Sequence, residues 1–196
     1  MSGYPNEAID PANRVSRRWL GWVRGDISLG DEECDEFVAR CLACESQAAK
    51  VGAAELSARR QSYIRRVDPS PETRRLHERI RSLAEAINDT HFGFDVDGII
   101  SADFLEYHGG FGRFDWHVDY GYVNDRVRKL TIIIQLSRPE DYVGGELEVF
   151  DAGAIALPQE RGAVLSFPSF VPHHVTPVTG GLRRSLVAWL TGPAFR

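Results

Sequence analysis

The sequence predicts a mainly β protein in which two sheets pack as a jelly roll, with helices confined to its first part. From Phe92 onward the chain alternates short apolar segments with Gly, Pro and Asp turns and shows no further helical pattern. Before that point, apolar residues recur at three- and four-residue spacing over two stretches. Across its 196 residues no Pro/Gly/Ser-rich linker, low-complexity tract or internal repeat divides the chain, so one domain spanning 1–196 is expected. In it residues 1–90 supply a helical support and 91–196 the β core. A chain of this length buries roughly 70% of its unfolded surface.

The elements follow in order. Ser28-Leu-Gly-Asp31 has the spacing of a capping box with Asp in place of Glu, and Phe37, Val38, Cys41 and Leu42 then give one apolar helical face. Ser70-Pro71 is the start signal of a second helix, whose buried stripe is Leu76, Ile80, Leu83 and Ile87. Between the two helices, Gln61 to Val67 reads as extended. Seven strands are expected after Phe92: Ile99 to Tyr107, Phe114 to Val118, Val127 to Leu136, Glu146 to Phe150, Ala163 to Phe167, His173 to Val178 and Ser185 to Leu190.

Composition narrows the function. The net charge is −5 and basic residues are dispersed, which disfavours a nucleic-acid binder. Arg59, Arg60, Arg65, Arg66, Arg74 and Arg75 come nearest to a basic cluster and read as a solvated face. No apolar run approaches the roughly 20 residues that cross a bilayer. The polar start Met-Ser-Gly-Tyr-Pro-Asn-Glu lacks the regions of a secretion signal, so a cytoplasmic protein without membrane contact is expected. Cys34, Cys41 and Cys44 lie in one segment, and without a second pair Cys41-x-x-Cys44 reads as reduced thiols on a helix. Nothing in the pattern sets the oligomeric state.

The chemistry concentrates at four residues. In Phe-Asp-Trp-His117-Val-Asp119-Tyr-Gly, alternation along a strand points His117 and Asp119 to one face. A further imidazole arrives from Phe170-Val-Pro-His173-His-Val-Thr-Pro-Val178, where adjacent His173 and His174 face opposite ways and only one points inward. Two imidazoles and a carboxylate on one side of a metal leave the opposite positions open, the facial arrangement of non-haem Fe(II) oxygenases. Arg183 offers a planar fork suited to a carboxylate, and the same alternation puts Ser185 on its face and Arg184 on the other.

These residues occur with Glu-Tyr107-His-Gly-Gly110 before the His-x-Asp pair, and with Arg128-Lys-Leu-Thr131-Ile-Ile-Ile-Gln135-Leu and Gly144-Gly145-Glu-Leu147 after it. Gly181-Leu-Arg183-Arg-Ser185-Leu-Val-Ala-Trp189 stands near the end. In this order the pattern resembles the 2-oxoglutarate- and Fe(II)-dependent dioxygenases, specifically the small bacterial members of the prolyl-4-hydroxylase-like branch, over roughly residues 60 to 193. The resemblance implies a double-stranded β-helix of cupin-like form, with the metal between the sheets and long helices buttressing the larger sheet. It implies Fe(II) on His117, Asp119 and His173, since the branch's His-x-Val-x-Pro-Val run matches His173-His-Val175-Thr-Pro177-Val178. It also implies 2-oxoglutarate anchored by Arg183 and Ser185, with Tyr107 and Gln135 as further contacts and Thr131 lining the same pocket. Gln135 departs from the tyrosine of several relatives, although an amide can still donate to a carboxylate.

The implied reaction consumes O2 and 2-oxoglutarate, releases succinate and CO2, and hydroxylates an unactivated C–H bond, with ascorbate as the expected reductant. For substrate, a free amino acid or an amino-acid-derived small molecule comes first, because no separate peptide-binding domain is visible. Peptidyl proline or another amino-acyl group is the alternative. Small relatives carry a strand such as 61–67 beside the substrate mouth, which raises Arg65 and Arg66 as contacts against the simpler reading of surface charge. Trp19 to Trp22, Tyr63, Trp116 and Tyr120 offer an apolar wall, or else core and rim packing. A nucleic-acid demethylase of the superfamily would carry a second arginine where Trp189 stands. A non-catalytic cupin-like metal-binding or sensory protein would need the ligands without Arg183, Ser185 and Tyr107.

Overall fold

The computed structural model of the chain describes residues 22–25, 27–48, 50–51, 54–55, 59–123 and 125–195. Trp19, Leu20 and Gly21, three of the four residues of the expected N-terminal aromatic segment, lie outside them. The chain runs through β1 (Val23–Arg24), α1 (Asp31–Leu42), β2 (Ser46–Ala48), the hairpin β3 (Lys50–Val51) and β4 (Ala54–Glu55), β5 (Arg60–Gln61), β6 (Tyr63–Val67) and α2 (Arg74–Ile87). It continues through β7 (Gly98–His108), β8 (Arg113–His117), β9 (Tyr122–Val123), β10 (Arg126–Gln135), β11 (Tyr142–Gly144) and β12 (Leu147–Phe150). The last strands are β13 (Ala154–Ala156), β14 (Val164–Pro168), β15 (His173–Val175) and β16 (Val178–Gly192).

Two antiparallel sheets carry the fold. The larger is ordered β1-β14-β10-β16-β7-β6-β2, with β11 added along β16 and β9 along β10; the smaller is ordered β13-β12-β15-β8-β5. Their facing surfaces meet through Leu105, Ile133, Leu165, Phe167 and Val187 of the larger sheet and Leu147, Val149 and Val175 of the smaller. The other face of the larger sheet, through Ala102, Phe104, Leu130, Ile132, Ile134, Leu186 and Ala188, receives Phe37 and Cys41 of α1 and Leu76, Ile80 and Leu83 of α2. This is a double-stranded β-helix buttressed by helices. It agrees with the expected mainly β jelly roll, because period-2 alternation splits each long strand between the inter-sheet core and the helix layer.

Several boundaries differ from expectation, each for a local reason. The Ser28 capping box does not form: Gly30 is the N-cap of α1, and Asp31 instead pairs with Arg138 at 2.8 Å and Arg161 at 3.1 Å. The second helix begins at Arg74 rather than at Pro71, after a turn in which the Thr73 N–H donates to Ser70 Oγ at 3.2 Å and the Ser70 N–H donates to Thr73 Oγ1 at 2.9 Å. Strand β16 begins at Val178 rather than Ser185, because Gly181 pairs with Tyr142 of the unforeseen strand β11. Gly181 has φ 73°, and a Cβ there would stand 2.0 Å from the Asp141 carbonyl oxygen, so only glycine lets the two strands approach. Cys34 and Cys41 are buried on α1, where burial pushes the Cys41 thiol up to about 12 and the Cys34 thiol up to about 11.

Phe104 is fully buried between the larger sheet and the helices. Phe104→Ala is expected to cost about 3–5 kcal/mol, seen by calorimetry as a fall of roughly 10 °C in Tm. Truncating exposed Val143 to Ala should leave Tm nearly unchanged.

Candidate metal centre and co-substrate pocket

Strand pairing builds the metal site. β15 lies antiparallel to β8 in a register that sets His173 opposite His117. Asp119 follows β8 in a turn pinned by the Ser169 carbonyl, which accepts the N–H groups of Asp119 at 2.9 Å and Tyr120 at 2.8 Å. Ligating atoms of His117, Asp119 and His173 all fall within 4.8 Å of one another, with His117 Nε2 3.6 Å from Asp119 Oδ1 and His173 Nε2 3.4 Å from Oδ2.

The rings are already oriented for a metal. Nδ1 of His117 stands 2.8 Å from the Asp115 carbonyl and Nδ1 of His173 3.0 Å from that of Val171, so each ring donates there and turns Nε2 with its lone pair toward the centre. Phe114 stacks on His117 at 3.5 Å between ring centroids. Desolvation, with His173 adding to it, lowers the His117 pKa from 6.5 to about 4, leaving a neutral imidazole. Burial on its own raises the Asp119 pKa, but the neighbouring imidazoles, His173 foremost, outweigh it and hold the carboxyl well below the usual range. Two imidazoles and an ionised carboxylate are the donor set that suits an octahedral-type cation with open positions.

His174 points the other way. Its Nε2 lies 2.6 Å from Glu148 Oε2, and its ring stacks on Trp116 at 3.9 Å, on the outer face of the smaller sheet. Thr131 is buried behind the site, donating from Oγ1 to Asp119 Oδ2 at 2.9 Å, so it braces the carboxylate and stands off the cavity wall.

A cavity of about 740 Å³ opens on the three ligands and extends to Tyr107, Arg183 and Ser185. Arg183 is 1% exposed. Its Nη1 donates to Ser185 Oγ at 3.2 Å and its Nη2 to Gln135 Oε1 at 2.9 Å, while Nε has no hydrogen-bond partner among the described residues. Its guanidinium carbon lies 5.4 Å from the Tyr107 ring centre. No carboxylate among the described residues pairs with this buried cation. A guanidinium held in that state complements an incoming anion. Gln135 serves it differently than expected: its amide donates to the Pro158 carbonyl at 3.1 Å and its oxygen receives Arg183, so it orients the fork.

The paired arginine and the aromatic candidates separate cleanly. Arg184 faces the outer side and pairs with Glu106 at 3.3 Å, as does Arg65 at 3.2 Å, with Arg65 also donating to the Cys44 carbonyl behind α1. Arg66 instead lines the cavity, as do Arg59, Arg60 and Arg128. Tyr63, Trp116 and Tyr120 pack at the rim, against His108, His174 and Phe195 respectively, and do not line the cavity. Trp22 is partly buried against the inter-sheet core.

Sequence reasoning missed Tyr142, Ser169 and Asp103. Tyr142 is buried beside Arg183; burial pushes its phenol up and the guanidinium pulls the other way. Gly145, at φ 69°, leaves room for both, since a Cβ would come within 3.0 Å of Arg183 Cδ. The tandem Gly144-Gly145 was the visible signal for that close approach. Asp103 was reachable by counting back in twos from Tyr107.

A two-sheet β-helix with a two-histidine, one-carboxylate face and a buried arginine in the same cavity defines a class of metal-dependent oxygenase scaffolds. Comparison points the same way: the family profile of the 2OG-Fe(II) oxygenase superfamily matches residues 102–191, a little under half of the chain. The matching family implies Fe(II), 2-oxoglutarate and O2, and the cluster of His117, Asp119 and His173 fits the metal. The chain is 39% identical over 99 residues to a PKHD-type hydroxylase of Caulobacter sp. (strain K31), covering 47% of this chain and 43% of that protein, so the match spans under half the length of this relative. Among solved structures it resembles a Pseudomonas putida prolyl-4-hydroxylase, with TM-score 0.70, 23% identity, and coverage of 89% of this chain and 94% of that one. It also resembles a Trichoplax adhaerens prolyl hydroxylase in complex with a hypoxia inducible factor peptide fragment, with TM-score 0.71, 18% identity, and coverage of 91% and 86%. No described helix is long and apolar enough to cross a membrane.

His117→Ala, Asp119→Ala and His173→Ala should each abolish Fe(II) binding measured by anaerobic titration, because each deletes one of the three groups placed to hold the metal. His174→Ala should bind iron normally.

Proposed function

We propose that the chain is a 2-oxoglutarate-dependent Fe(II) hydroxylase acting on an unactivated C–H bond of a free amino acid or an amino-acid-derived small molecule. The observation that carries this reading is the buried Arg183 guanidinium, without a carboxylate partner among the described residues, in one cavity with His117, Asp119 and His173. His117, Asp119 and His173 would hold Fe(II). Arg183 and Ser185 would take the distal carboxylate of 2-oxoglutarate, with Tyr107 and Tyr142 beside it, Gln135 fixing the fork and Thr131 bracing Asp119.

The bound iron supplies O2 activation and the power to break a C–H bond. The chain's own part is positional: Ile133, Leu147, Val175 and Val187 shield the cavity from water, and His117, Asp119 and His173 would hold the metal from one side of it. A cavity of about 740 Å³ suits a five-carbon diacid and one small substrate. A second reading, hydroxylation of peptidyl proline, is favoured by the solved prolyl hydroxylases of like fold, one of them holding a peptide. Ascorbate as reductant and a cytoplasmic setting belong to the same proposal.

Four measurements test it. Anaerobic addition of 2-oxoglutarate to the Fe(II) protein should raise a weak visible charge-transfer band, and N-oxalylglycine should inhibit competitively with 2-oxoglutarate. Under labelled O2 the product should carry one labelled oxygen; incorporation solely from water, without exchange, would overturn the hydroxylase assignment. Arg183→Lys keeps the charge but loses the fork, so the 2-oxoglutarate requirement should rise roughly tenfold or more, equivalent to about 1.5–3 kcal/mol. Arg184→Lys should change it little.

A further inference from the structure

The cavity holds one carboxylate that the metal site does not use. Asp103 stands on the inner face of β7, opposite Val187 of β16, two inward-facing rungs from the Tyr107–Arg183 pair. Its side chain is 7% exposed, yet Oδ1 accepts no hydrogen bond among the described residues. Arg66, its neighbour across β6, brings Nε only to 3.5 Å and remains half-exposed. Burial pushes the Asp103 carboxyl above its usual range, with Arg66 pulling the other way. A carboxylate held in this state leaves acceptor capacity unfilled at a cost, which a ligand carrying N–H donors would remove.

Glu106, three residues further along the same strand than Asp103, shows what a closed structural pairing looks like here. On the outer face its two carboxylate oxygens receive Arg65 and Arg184 at 3.2 and 3.3 Å. Asp103 has no such closure. Beside it on the same cavity wall, Arg128 lays its guanidinium over the Trp189 ring at 3.9 Å and pairs with no carboxylate among the described residues. The stacking fixes the guanidinium plane while leaving its edge donors free. An under-satisfied acceptor therefore faces the same space as two guanidinium groups with donors to spare.

We infer that Asp103, Arg66 and Arg128 form the substrate-recognition subsite, and that it takes a free α-amino acid, with the ammonium on Asp103 and the α-carboxylate on the arginines. This rests on the hydroxylase reading above and narrows its substrate class. An internal residue of a peptide carries neither charge, so the same wall disfavours peptidyl substrates. Opposite charges set side by side recognise a zwitterion and leave the amino-acid side chain to be directed at the metal.

The test uses the anaerobic Fe(II)–2-oxoglutarate protein and calorimetric titration with each of the twenty free L-amino acids and its N-acetyl counterpart. At least one free amino acid should bind, with its N-acetyl form at least about tenfold weaker, and Asp103→Asn should bring the two affinities together. Arg128→Gln should weaken the free acid while leaving its amide little changed. An N-acetyl form or a prolyl peptide binding as tightly as any free amino acid, or no free amino acid binding at all, would overturn the inference. The visible band separates this from failure of the wider reading: it should form in wild type and Asp103→Asn alike, whereas its absence from wild type would remove the 2-oxoglutarate assignment itself.

Discussion

Strand β16 runs from Val178 to Gly192 between β7 and β10, and its register against both is the constraint on which the rest depends. Successive side chains of a strand face opposite ways, so one register sends Leu186, Ala188 and Leu190 to the helix layer and Arg183, Ser185, Val187 and Trp189 to the inter-sheet space. A slip of one residue would put Arg184 into the cavity and Leu186 beside it, while Arg183 would meet Glu106 and the helices. The helices thus act on the site at a distance. By packing on the face that carries Leu186, Ala188 and Leu190, they hold Arg183 and Ser185 in the cavity.

The two faces also treat charge differently. Outside, Glu106 is shared by Arg65 and Arg184, and Asp31 by Arg138 and Arg161, so cations find carboxylates within the protein. Inside, Arg183 is buried without one among the described residues. A buried guanidinium of that kind costs stability unless its environment supplies polar partners. Gln135 and Ser185 provide two neutral acceptors, enough to hold the fork without neutralising it. Tyrosine at 135 would offer a hydroxyl here; glutamine offers a directed oxygen and spends its own N–H on the Pro158 carbonyl.

Much of this was legible in the sequence because it depends on alternation. The shared face of Arg183 and Ser185, the opposite facing of Arg184 and the apolar stripe of α2 follow from counting in twos or in threes and fours. The choice of Arg183 over Arg184, through the Arg-x-Ser pattern, and the placing of Tyr107 come from the family resemblance. His173 needed more than parity, because either histidine fits a strand and the register with β8 decides. What parity does not encode was missed. The Ser28 cap failed because Asp31 found two arginines more than a hundred residues away, and β11 went unseen because its partner segment, Gly180-Gly181, looks like a turn until another strand lies along it. Gln135 and Thr131 occupy the expected strand, but their roles come from what their side chains touch, Arg183 and Asp119, which no local pattern reveals.

The imidazoles of His117 and His173 both take their orientation from the carbonyl two residues upstream on their own chain, Asp115 for His117 and Val171 for His173. A backbone oxygen cannot be substituted by mutation. The aim of the two rings is therefore insulated from changes in side chains elsewhere in the cavity, which are free to vary as long as the strands keep their places. Such an arrangement divides one cavity into two parts: a face whose aim is set by main-chain geometry, and a wall whose character is set by side chains alone. A single scaffold can in this way move between substrates without reassembling its reactive centre.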